Sequence, residues 1–291
     1  MTVPKKLTGK EIPLPLREIA DPPKELYLEG NLPNWQENIF LTVVGSRKYT
    51  SYGRNACEQL IKELRGYPIV IVSGLALGID AIAHRAALDA GLTTIAVPGS
   101  GLDRSALYPR QNLRLAEEIL EKGGALLSEL PPDTHATAYS FPQRNRIMAG
   151  MSHAILVIEA GEKSGTLITA RMAAEYNKNL LVVPGSIFSP TSLGANHLIR
   201  QGGHPVCSGQ EILEVLGIKT DTEPTTGNLK LTDLAPKERK IIDLLLIEAL
   251  PKDLLVAECG WPASELNSLL SIMEIKGLIK EQMGVFEVCR F

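Results

Sequence analysis

The sequence has little of the material from which metal sites and common cofactor sites are built. It contains four cysteines in 291 residues, and no two of them form a CxxC pair. The five histidines are scattered without the spacing of metal ligands. A GxSxG nucleophile elbow, a Walker A loop and a GxGxxG fingerprint are all missing. We therefore predict no metal and no cofactor, and a dinucleotide oxidoreductase is the least supported class of function.

Long apolar runs are also missing. No run approaches the roughly 18 residues that a membrane helix requires, and residues 1–23 lack the apolar region of a secretory signal. Without a signal for export, the cysteines are expected to be reduced thiols. The sequence thus predicts a cytoplasmic protein without membrane contact.

The formal net charge of −3 is unusual for a nucleic-acid binder, but the charge is unevenly distributed. Residues 40–206 carry 16 Lys or Arg against 13 Asp or Glu, a positive excess of 3. A local positive field attracts anionic ligands even when the whole chain is acidic. An excess of this size is also compatible with ordinary scatter, so the motifs have to decide.

Short apolar runs alternate with amphipathic helical stretches through the central region. Strands that are apolar on both faces and separated by helices are typical of a parallel sheet covered on both sides. We predict an α/β fold with a doubly wound, mostly parallel, extended Rossmann-like sheet, which binds ligands beyond the carboxyl ends of its strands. The predicted strands are residues 40–44, 69–72, 93–97, 154–160 and 180–184, with weaker candidates at 125–129 and 204–207.

Four segments follow from this pattern. Residues 1–39 are predicted to form an N-terminal extension that packs on the core, and residues 40–217 the Rossmann-like domain. Residues 218–236 are rich in Thr, Asp, Pro and Gly and are predicted to be a linker. Residues 237–291 contain three predicted helices and a hairpin, which is the outline of a small C-terminal winged-helix domain.

The loop after the first strand reads GSRKYTS. Gly45 permits a tight turn, and Ser51 is the predicted cap of the next helix. Ser46, Arg47 and Lys48 would then lie between a strand end and a helix N-terminus, whose free N–H groups bind anions. Two solvated cations in a turn are an equally good interpretation of this motif alone.

The loop after the second strand contains Gly74 and Gly78, which allow the backbone to approach a neighbour or a ligand closely. Asp80 and His84 follow on one face of the next helix. They could act as an acid–base pair. We favour a structural role, in which their hydrogen bonds hold the loop.

The segment FPQRNR is the most specific feature of the sequence. With Pro142 at the helix start, Arg144, Asn145 and Arg146 fall in the first turn, where each cation opposes the helix dipole at a cost of about 0.3–1 kcal/mol. Arginines at such positions are expected to bind an anion, unless one of them is buried in an ion pair. Phe141 could stack on a nucleic-acid base or form a hydrophobic staple onto the helix.

A further anion-binding turn is predicted at Ser164, Gly165 and Thr166, which open a helix and offer N–H and hydroxyl donors. Lys163 precedes this turn without the glycine of a Walker A loop, so ATP hydrolysis has no motif to support it. Anion-binding loops without an evident nucleophile indicate a binding protein and not an enzyme.

Taken in order, these motifs resemble the DprA/Smf family of DNA-processing proteins. The resemblance extends from residue 22 to residue 217 and is strongest in FPQRNR and SGTLITA. It implies a Rossmann-like core that binds single-stranded DNA without sequence preference, forms a homodimer and loads a RecA-type recombinase during natural transformation. In that family the GSR loop and the phenylalanine–arginine loop contact the strand. These roles would fall here on Ser46, Arg47, Phe141, Arg144 and Arg146.

The C-terminal segment resembles the winged-helix domain of the same family. Its predicted recognition helix, residues 262–276, carries Glu265 and Glu274 but only Lys276 as a cation. Phosphate contacts require positive charge. We therefore expect this domain to serve protein contact or packing and not tight DNA binding.

The competing hypothesis is a nucleotide-binding sensor or an enzyme. The related lysine-decarboxylase-like phosphoribohydrolases share this type of core but carry a PGGxGT loop, and VPGSGLD and VPGSIFS lack its second adjacent glycine. We therefore predict a DNA-binding protein with Gly74, Gly78, Asp80 and His84 as structural loop residues. Its predicted DNA- or phosphate-binding residues are Gly45, Ser46, Arg47, Lys48, Phe141, Arg144, Asn145, Arg146, Ser164, Gly165 and Thr166.

Overall fold

The computed structural model describes residues 3–218, 234–276, 278–282 and 284–288. The chain divides into two compact units, residues 1–220 and 221–291. The linker predicted at 218–236 lies mostly outside the described residues. No described helix is long and apolar enough to cross a membrane.

One central sheet organises the first unit. Its strands are β1 (Lys5–Thr8), β2 (Glu25–Gly30), β3 (Ile39–Val44), β4 (Ile69–Ser73), β5 (Thr94–Ala96), β6 (Ala125–Ser128), β7 (Ala154–Val157), β8 (Asn179–Val182) and β9 (His204–Pro205). They lie in the order β1-β2-β6-β5-β4-β3-β7-β8-β9. All neighbours from β6 to β9 run parallel, whereas β1 and β2 are antiparallel to their neighbours. The predicted mostly parallel sheet is confirmed.

Helices connect the strands and cover both faces of the sheet. In the described part of the first unit they are α1 (Leu14–Arg17), α2 (Ser51–Glu63), α3 (Ile79–Asp89), α4 (Leu113–Glu121), α5 (Ser140–Met151), α6 (Thr166–Glu175), α7 (Leu193–Arg200) and α8 (Gly209–Val215). The helix α7 was not among the predicted elements, because the glycine-rich segment before it is typical of a loop.

The strand side chains alternate between two apolar cores, because successive residues of a strand point to opposite faces. Phe40 and Val44 of β3 lie in the core formed with α5, α6 and α7. Leu41 and Val43 lie in the core formed with α2, α3 and α8. Burial on both faces explains why these strands appear in the sequence as continuous apolar runs.

The residues before β3 extend the sheet by two strands that the sequence analysis did not predict. β2 reads ELYLEG and is only partly buried, so its short alternating pattern is a weaker signal than a continuous apolar run. Leu16, Ile19 and Leu26 of this segment are buried in the first core. Leu16 and Ile19 pack against Gly150 of α5. This segment therefore contributes to the same core as the parallel strands.

The second unit is a winged-helix domain, as predicted. Its helices are α9 (Pro236–Ile247), α10 (Lys252–Cys259) and α11 (Ala263–Ile275), and its strands are β10 (Leu250–Pro251), β11 (Ile279–Gln282) and β12 (Val285–Val288). The antiparallel strand β12 lies between β10 and β11. Ile241, Leu255, Leu266 and Phe286 join its helices and sheet in one core.

A pair of leucines in α1 tests whether the N-terminal segment folds with the core. Leu16→Ala removes a fully buried side chain and should lower the free energy of unfolding by about 2–5 kcal/mol. Leu14→Ala, at a position that is 55% exposed, should change it by no more than about 0.5 kcal/mol. Urea denaturation of both variants measures the difference. Equal effects would show that α1 is not part of the cooperatively folded core.

Candidate nucleic-acid interface

A groove of about 760 Å³ lies beyond the carboxyl ends of β3, β4, β7 and β8. This edge of a parallel sheet is where doubly wound folds bind ligands. We call it the strand-end groove. Its lining comes from segments 44–48, 76–80, 141–148, 161–169 and 190–191.

Ten of the eleven residues predicted to bind DNA or phosphate line the strand-end groove. They are Gly45, Ser46, Arg47, Lys48, Phe141, Arg144, Asn145, Ser164, Gly165 and Thr166. Arg146 does not line it. The fold therefore brings three motifs that are distant in the sequence to one surface.

The loop after β3 is shaped by its own hydrogen bonds. The Ser46 hydroxyl accepts from the backbone N–H of Lys48 (3.0 Å) and donates to the Lys48 carbonyl (2.9 Å). Thr50, and not the predicted Ser51, caps α2 with its hydroxyl oxygen. The side chains of Arg47 and Lys48 are exposed in this loop, so their charges are accessible to a ligand.

The cap of α2 rests on a buried carboxylate. Glu159, which follows β7 and is 2% exposed, accepts from the backbone N–H of Thr50 (2.9 Å) and from its hydroxyl (2.6 Å). The Thr191 hydroxyl donates to it as well, at 3.2 Å. Gly53 provides the space, because a Cβ there would overlap the carboxylate. Glu159 therefore ties together the loops after β3, β7 and β8.

Two glycines after β4 allow the neighbouring loops to meet. Gly78 has a φ of +91°, which favours glycine, and a Cβ there would overlap the backbone of Ser46 and Arg47. A Cβ at Gly74 would overlap the guanidinium of Arg144. The loop after β4 thus contacts both of the predicted arginine motifs.

Arg144 is buried beneath this loop and is 8% exposed. Its guanidinium donates a hydrogen bond to the carbonyl of Val97, just after β5. Burial lowers the pKa of Arg144 to about 10, although Asp80 opposes the change, so the side chain remains protonated at neutral pH. Its Nε has no hydrogen-bond partner among the described residues. The groove is therefore lined by a buried cation whose charge is only partly compensated by neighbouring groups, which favours an anionic ligand.

The position of Arg146 has a different explanation. α5 begins at Ser140, two residues earlier than predicted, so both arginines lie beyond the first turn and the dipole argument does not apply to them. The Arg146 guanidinium contacts Glu129 at 2.6 and 2.7 Å and Asp21 at 3.1 Å. Of the two outcomes left open by the sequence, Arg146 shows the ion pair.

The Phe141 ring is held between loops and does not staple onto its own helix. It packs against Gly99, where a Cβ would overlap the ring. Tyr108 contacts it edge-on, with ring centroids 5.9 Å apart. The guanidinium carbon of Arg47 lies 5.0 Å from its centroid, within the range of a cation–π contact. The two motifs predicted to contact DNA therefore touch each other.

The groove also contains residues that the sequence analysis did not assign to it. Lys163 joins Arg47, Lys48 and Arg144 as a fourth cation, while Asp80 contributes the one carboxylate among the described lining residues. Lys163 directly precedes the predicted anion-binding turn at Ser164. That position is the feature of the sequence from which its place in the groove could have been predicted. Nothing in the sequence marks the further lining residues Met148, Ile168, Thr169, Pro190 and Thr191.

The SGT turn brings a helix N-terminus to the groove. α6 begins at Thr166, with Gly165 at its N-cap. The Ser164 hydroxyl accepts from the backbone N–H of Thr166 (3.2 Å) and donates to its hydroxyl (3.0 Å). All three residues line the groove, but the backbone N–H groups of Thr166, Leu167 and Ile168 already donate to Ser164 and Gly165, so this turn offers no free N–H from these three residues.

Asp80 and His84 have separate partners and form no acid–base pair. Asp80 lines the groove and accepts from the backbone N–H of Ala76 at 3.4 Å. Burial raises the pKa of Asp80, against the lowering effect of Arg144 and Arg47. The side chain therefore belongs to the charge network around Arg144.

His84, also in α3, is fully buried. Its Nδ1 lies 2.7 Å from the Thr94 hydroxyl. Because that hydroxyl donates to the Ile71 carbonyl at 2.9 Å, Nδ1 carries the proton and donates to Thr94. Burial lowers the pKa of His84 to about 3, so the imidazole is neutral at physiological pH.

The buried imidazole predicts a loss of stability in mild acid. The pKa of His84 lies near 3 in the folded protein and near 6.5 in the unfolded chain, so the unfolded state takes up the proton first. Stability should be complete above pH 6.5 and decrease by about 1.4 kcal/mol per pH unit below it, until the folded value is reached. Urea midpoints of wild type and His84→Gln at pH 7 and pH 5 measure this, and the variant should lose less between them. Equal losses would exclude His84 as the cause.

Three cations among the described residues of the second unit, Lys237, Lys276 and Lys280, are engaged in ion pairs. Lys276, at the end of α11, lies 2.7 Å from the buried carboxylate of Glu238, and Lys237 pairs with Glu265. These ion pairs do not test whether the domain binds a protein or DNA. Its role in protein contact or packing therefore stays a prediction.

Comparison with known proteins gives a consistent result along the chain. Residues 6–217 match the family model for DNA recombination-mediator protein A, and residues 226–284 match the DprA winged helix domain. Protein Smf of Escherichia coli K12 is 38% identical over 277 residues, which cover 94% of this chain and 73% of that protein. The DNA processing protein DprA of Bacillus subtilis is 40% identical over 215 residues, which cover 74% and 71% of the two chains.

Solved structures agree with these relatives. The X-ray structure of DprA from Streptococcus pneumoniae has a TM-score of 0.67 and 39% identity, over 72% of this chain and 73% of that one. The Helicobacter pylori DNA processing protein A, a structure that concerns a unique single-stranded DNA binding mode, has a TM-score of 0.66 and 32% identity, over 73% and 95%. The chain therefore belongs to the DprA/Smf family of DNA recombination-mediator proteins.

Proposed function

We propose that this protein binds single-stranded DNA without sequence preference in the strand-end groove, and that it acts as a recombination mediator. The observation that carries the proposal is the composition of the groove. It combines Arg47, Lys48, Arg144 and Lys163 with a single carboxylate and the ring of Phe141. This pairing of backbone-directed cations with a stacking surface is what single-strand binders use.

The arrangement favours a single strand over a duplex for a physical reason. Phosphate contacts from lysine and arginine provide affinity for any nucleic acid. A stacking contact with Phe141 requires a base that is free of its partner, and stacking accepts every base because each has a π-face. Sequence preference requires hydrogen bonds to the edges of the bases. The proposed contacts are to phosphates and to base faces, so no sequence preference is expected.

The family supports the same conclusion. The Helicobacter pylori relative is described as binding single-stranded DNA, and the family model is named for recombination mediation. We extend this by proposing that the protein loads a RecA-type recombinase onto DNA during natural transformation, as a cytoplasmic homodimer. In this role it acts by binding, without catalysis and without a cofactor.

Arg47 tests the proposed mode of binding. Arg47→Ala should weaken the binding of a poly-dT oligonucleotide about tenfold, because a charge-assisted hydrogen bond contributes about 1.5 kcal/mol. It should also reduce the slope of log K against log salt by about 0.7, the value for one lost phosphate contact on a single strand. Fluorescence anisotropy at several salt concentrations measures both quantities.

Two arginines outside the groove provide controls. Arg54, which is exposed and pairs with Glu58, should leave affinity and salt slope unchanged when replaced by alanine. Arg146→Ala should lower stability through loss of its ion pairs but leave the salt slope unchanged. A slope reduced as much as in Arg47→Ala would instead place Arg146 in contact with DNA. If the wild type did not bind poly-dT at low salt, the proposed function would be wrong.

The mediator role predicts a kinetic effect on a second protein. The wild type should shorten the lag before a RecA-type recombinase begins DNA-dependent ATP hydrolysis, and Arg47→Ala should do so only at higher concentration. Sedimentation of the wild type tests the homodimer. An unchanged lag would contradict loading even if DNA binding held. Release of free base from a nucleoside monophosphate would favour the enzyme hypothesis.

A further inference from the structure

Among the described residues, the exposed aromatic side chains are confined to one edge of the sheet. Aromatic residues make up only 5% of the sequence, and in the described part of the chain five of them are exposed. All five follow the carboxyl end of a strand or begin the next helix. They are Tyr49, Tyr52, Tyr108, Tyr139 and Phe188.

Phe188 is the most conspicuous member of this set. It is 90% exposed, more than any other large apolar side chain in the described residues, and the adjacent Ile187 is 74% exposed. Both lie in the loop between β8 and α7. Pro190 and Thr191 of the same loop line the strand-end groove, and Phe188 lies two residues before Pro190.

The sheet order places Phe188 and Phe141 on opposite sides of the groove. Phe141 packs at the end of β5, against Gly99 and Tyr108. Phe188 follows β8, and β4, β3 and β7 lie between β5 and β8. A strand that crosses the groove from Phe141 therefore leaves it toward the loop that carries Phe188.

Several hydrogen bonds fix the backbone of the loop that carries Phe188. The Asn196 amide accepts from the backbone N–H of Gly185 (3.2 Å) and donates to its carbonyl (3.0 Å). The Tyr52 hydroxyl donates to the Pro184 carbonyl at 2.6 Å. The backbone N–H of Phe188 itself donates to the Ser186 hydroxyl at 3.2 Å. The ring thus projects into water from a braced backbone, so little backbone entropy remains to be lost on binding.

We propose that Phe188 is a second base-stacking platform, which receives a base of the single strand where it leaves the groove on the β8 side. This inference rests on the proposed function. Phe141 is partly covered by Arg47, Tyr108 and Gly99, whereas the ring of Phe188 is almost fully accessible. The protein therefore engages a longer stretch of DNA than the groove alone accommodates.

The surroundings of Phe188 favour a base over a protein partner. The exposed apolar residues of this loop are Ile187, Phe188 and Pro190, with the hydroxyls of Ser186 and Ser189 beside them. A specific protein interface requires about 1,000 Å² of buried surface or more. One ring next to a cationic groove matches the size of one base.

Oligonucleotides of increasing length test the proposal on the full-length protein. Wild type and Phe188→Ala should bind short poly-dT equally, since short strands occupy only the groove. For longer poly-dT the wild type should gain affinity and the variant should not, which leaves the variant about 5- to 160-fold weaker, the range expected for one stacked base. An abasic oligonucleotide of the longer length should bind both proteins equally.

A tryptophan variant provides a direct signal. Phe188→Trp should restore the length-dependent gain, and its added fluorescence should be quenched by long but not by short poly-dT. Leu14 is also an exposed apolar residue, but it lies in α1 and does not line the groove. Leu14→Ala is therefore the matched control and should bind poly-dT as the wild type does. Thermal unfolding confirms that each variant is folded.

The outcomes separate the two proposals. If the wild type binds no poly-dT, the proposed function fails. If the wild type binds but Phe188→Ala matches it at every length, the stacking platform is wrong while the groove stands. Unchanged DNA binding with altered self-association or recombinase loading would make Phe188 a protein contact, which also overturns the inference.

Discussion

The buried guanidinium of Arg144 is the contact on which the geometry of the strand-end groove depends. It reaches from α5 to the carbonyl of Val97 after β5 and occupies the space left by Gly74 after β4. Removing a cation from water is costly, and a carbonyl and the nearby Asp80 only partly compensate it. The loops after β4 and β5 therefore have to fit this group closely, because Gly74 provides its space and the Val97 carbonyl accepts its hydrogen bond.

Glu159 performs the complementary task at the other side of the groove. It is a buried carboxyl group held by N–H and hydroxyl donors from the loops after β3 and β8. One buried polar side chain thus organises the β4–β5 side and the other organises the β3–β8 side. Arg47 and Lys48 remain exposed between them. The groove combines a rigid charged floor with accessible cations, an arrangement that reduces the entropy lost when a ligand is ordered on it.

This division gives the arginines of one motif different tasks. Arg144 and Arg146 are two residues apart in FPQRNR, yet Arg144 lines the groove and Arg146 joins Glu129 and Asp21. Asp21 belongs to the N-terminal segment, so this ion pair connects that segment to α5. The motif therefore serves both the proposed DNA contact and the packing of the residues before β3.

The sequence by itself determined the parallel sheet, the winged helix and ten of the groove residues, because continuous apolar runs, glycine turns and helix-start signals are local. It did not reveal β1 and β2, whose short amphipathic pattern becomes a pair of strands only beside β6. It did not place Lys163 in the groove, find the ion-pair partners of Arg146 or distinguish the exposed Phe188 from a core phenylalanine. Each of these depends on which distant residues pack nearby. The order of the strands and the burial of charged side chains decide which distant residues become neighbours, and only the tertiary structure shows these neighbours.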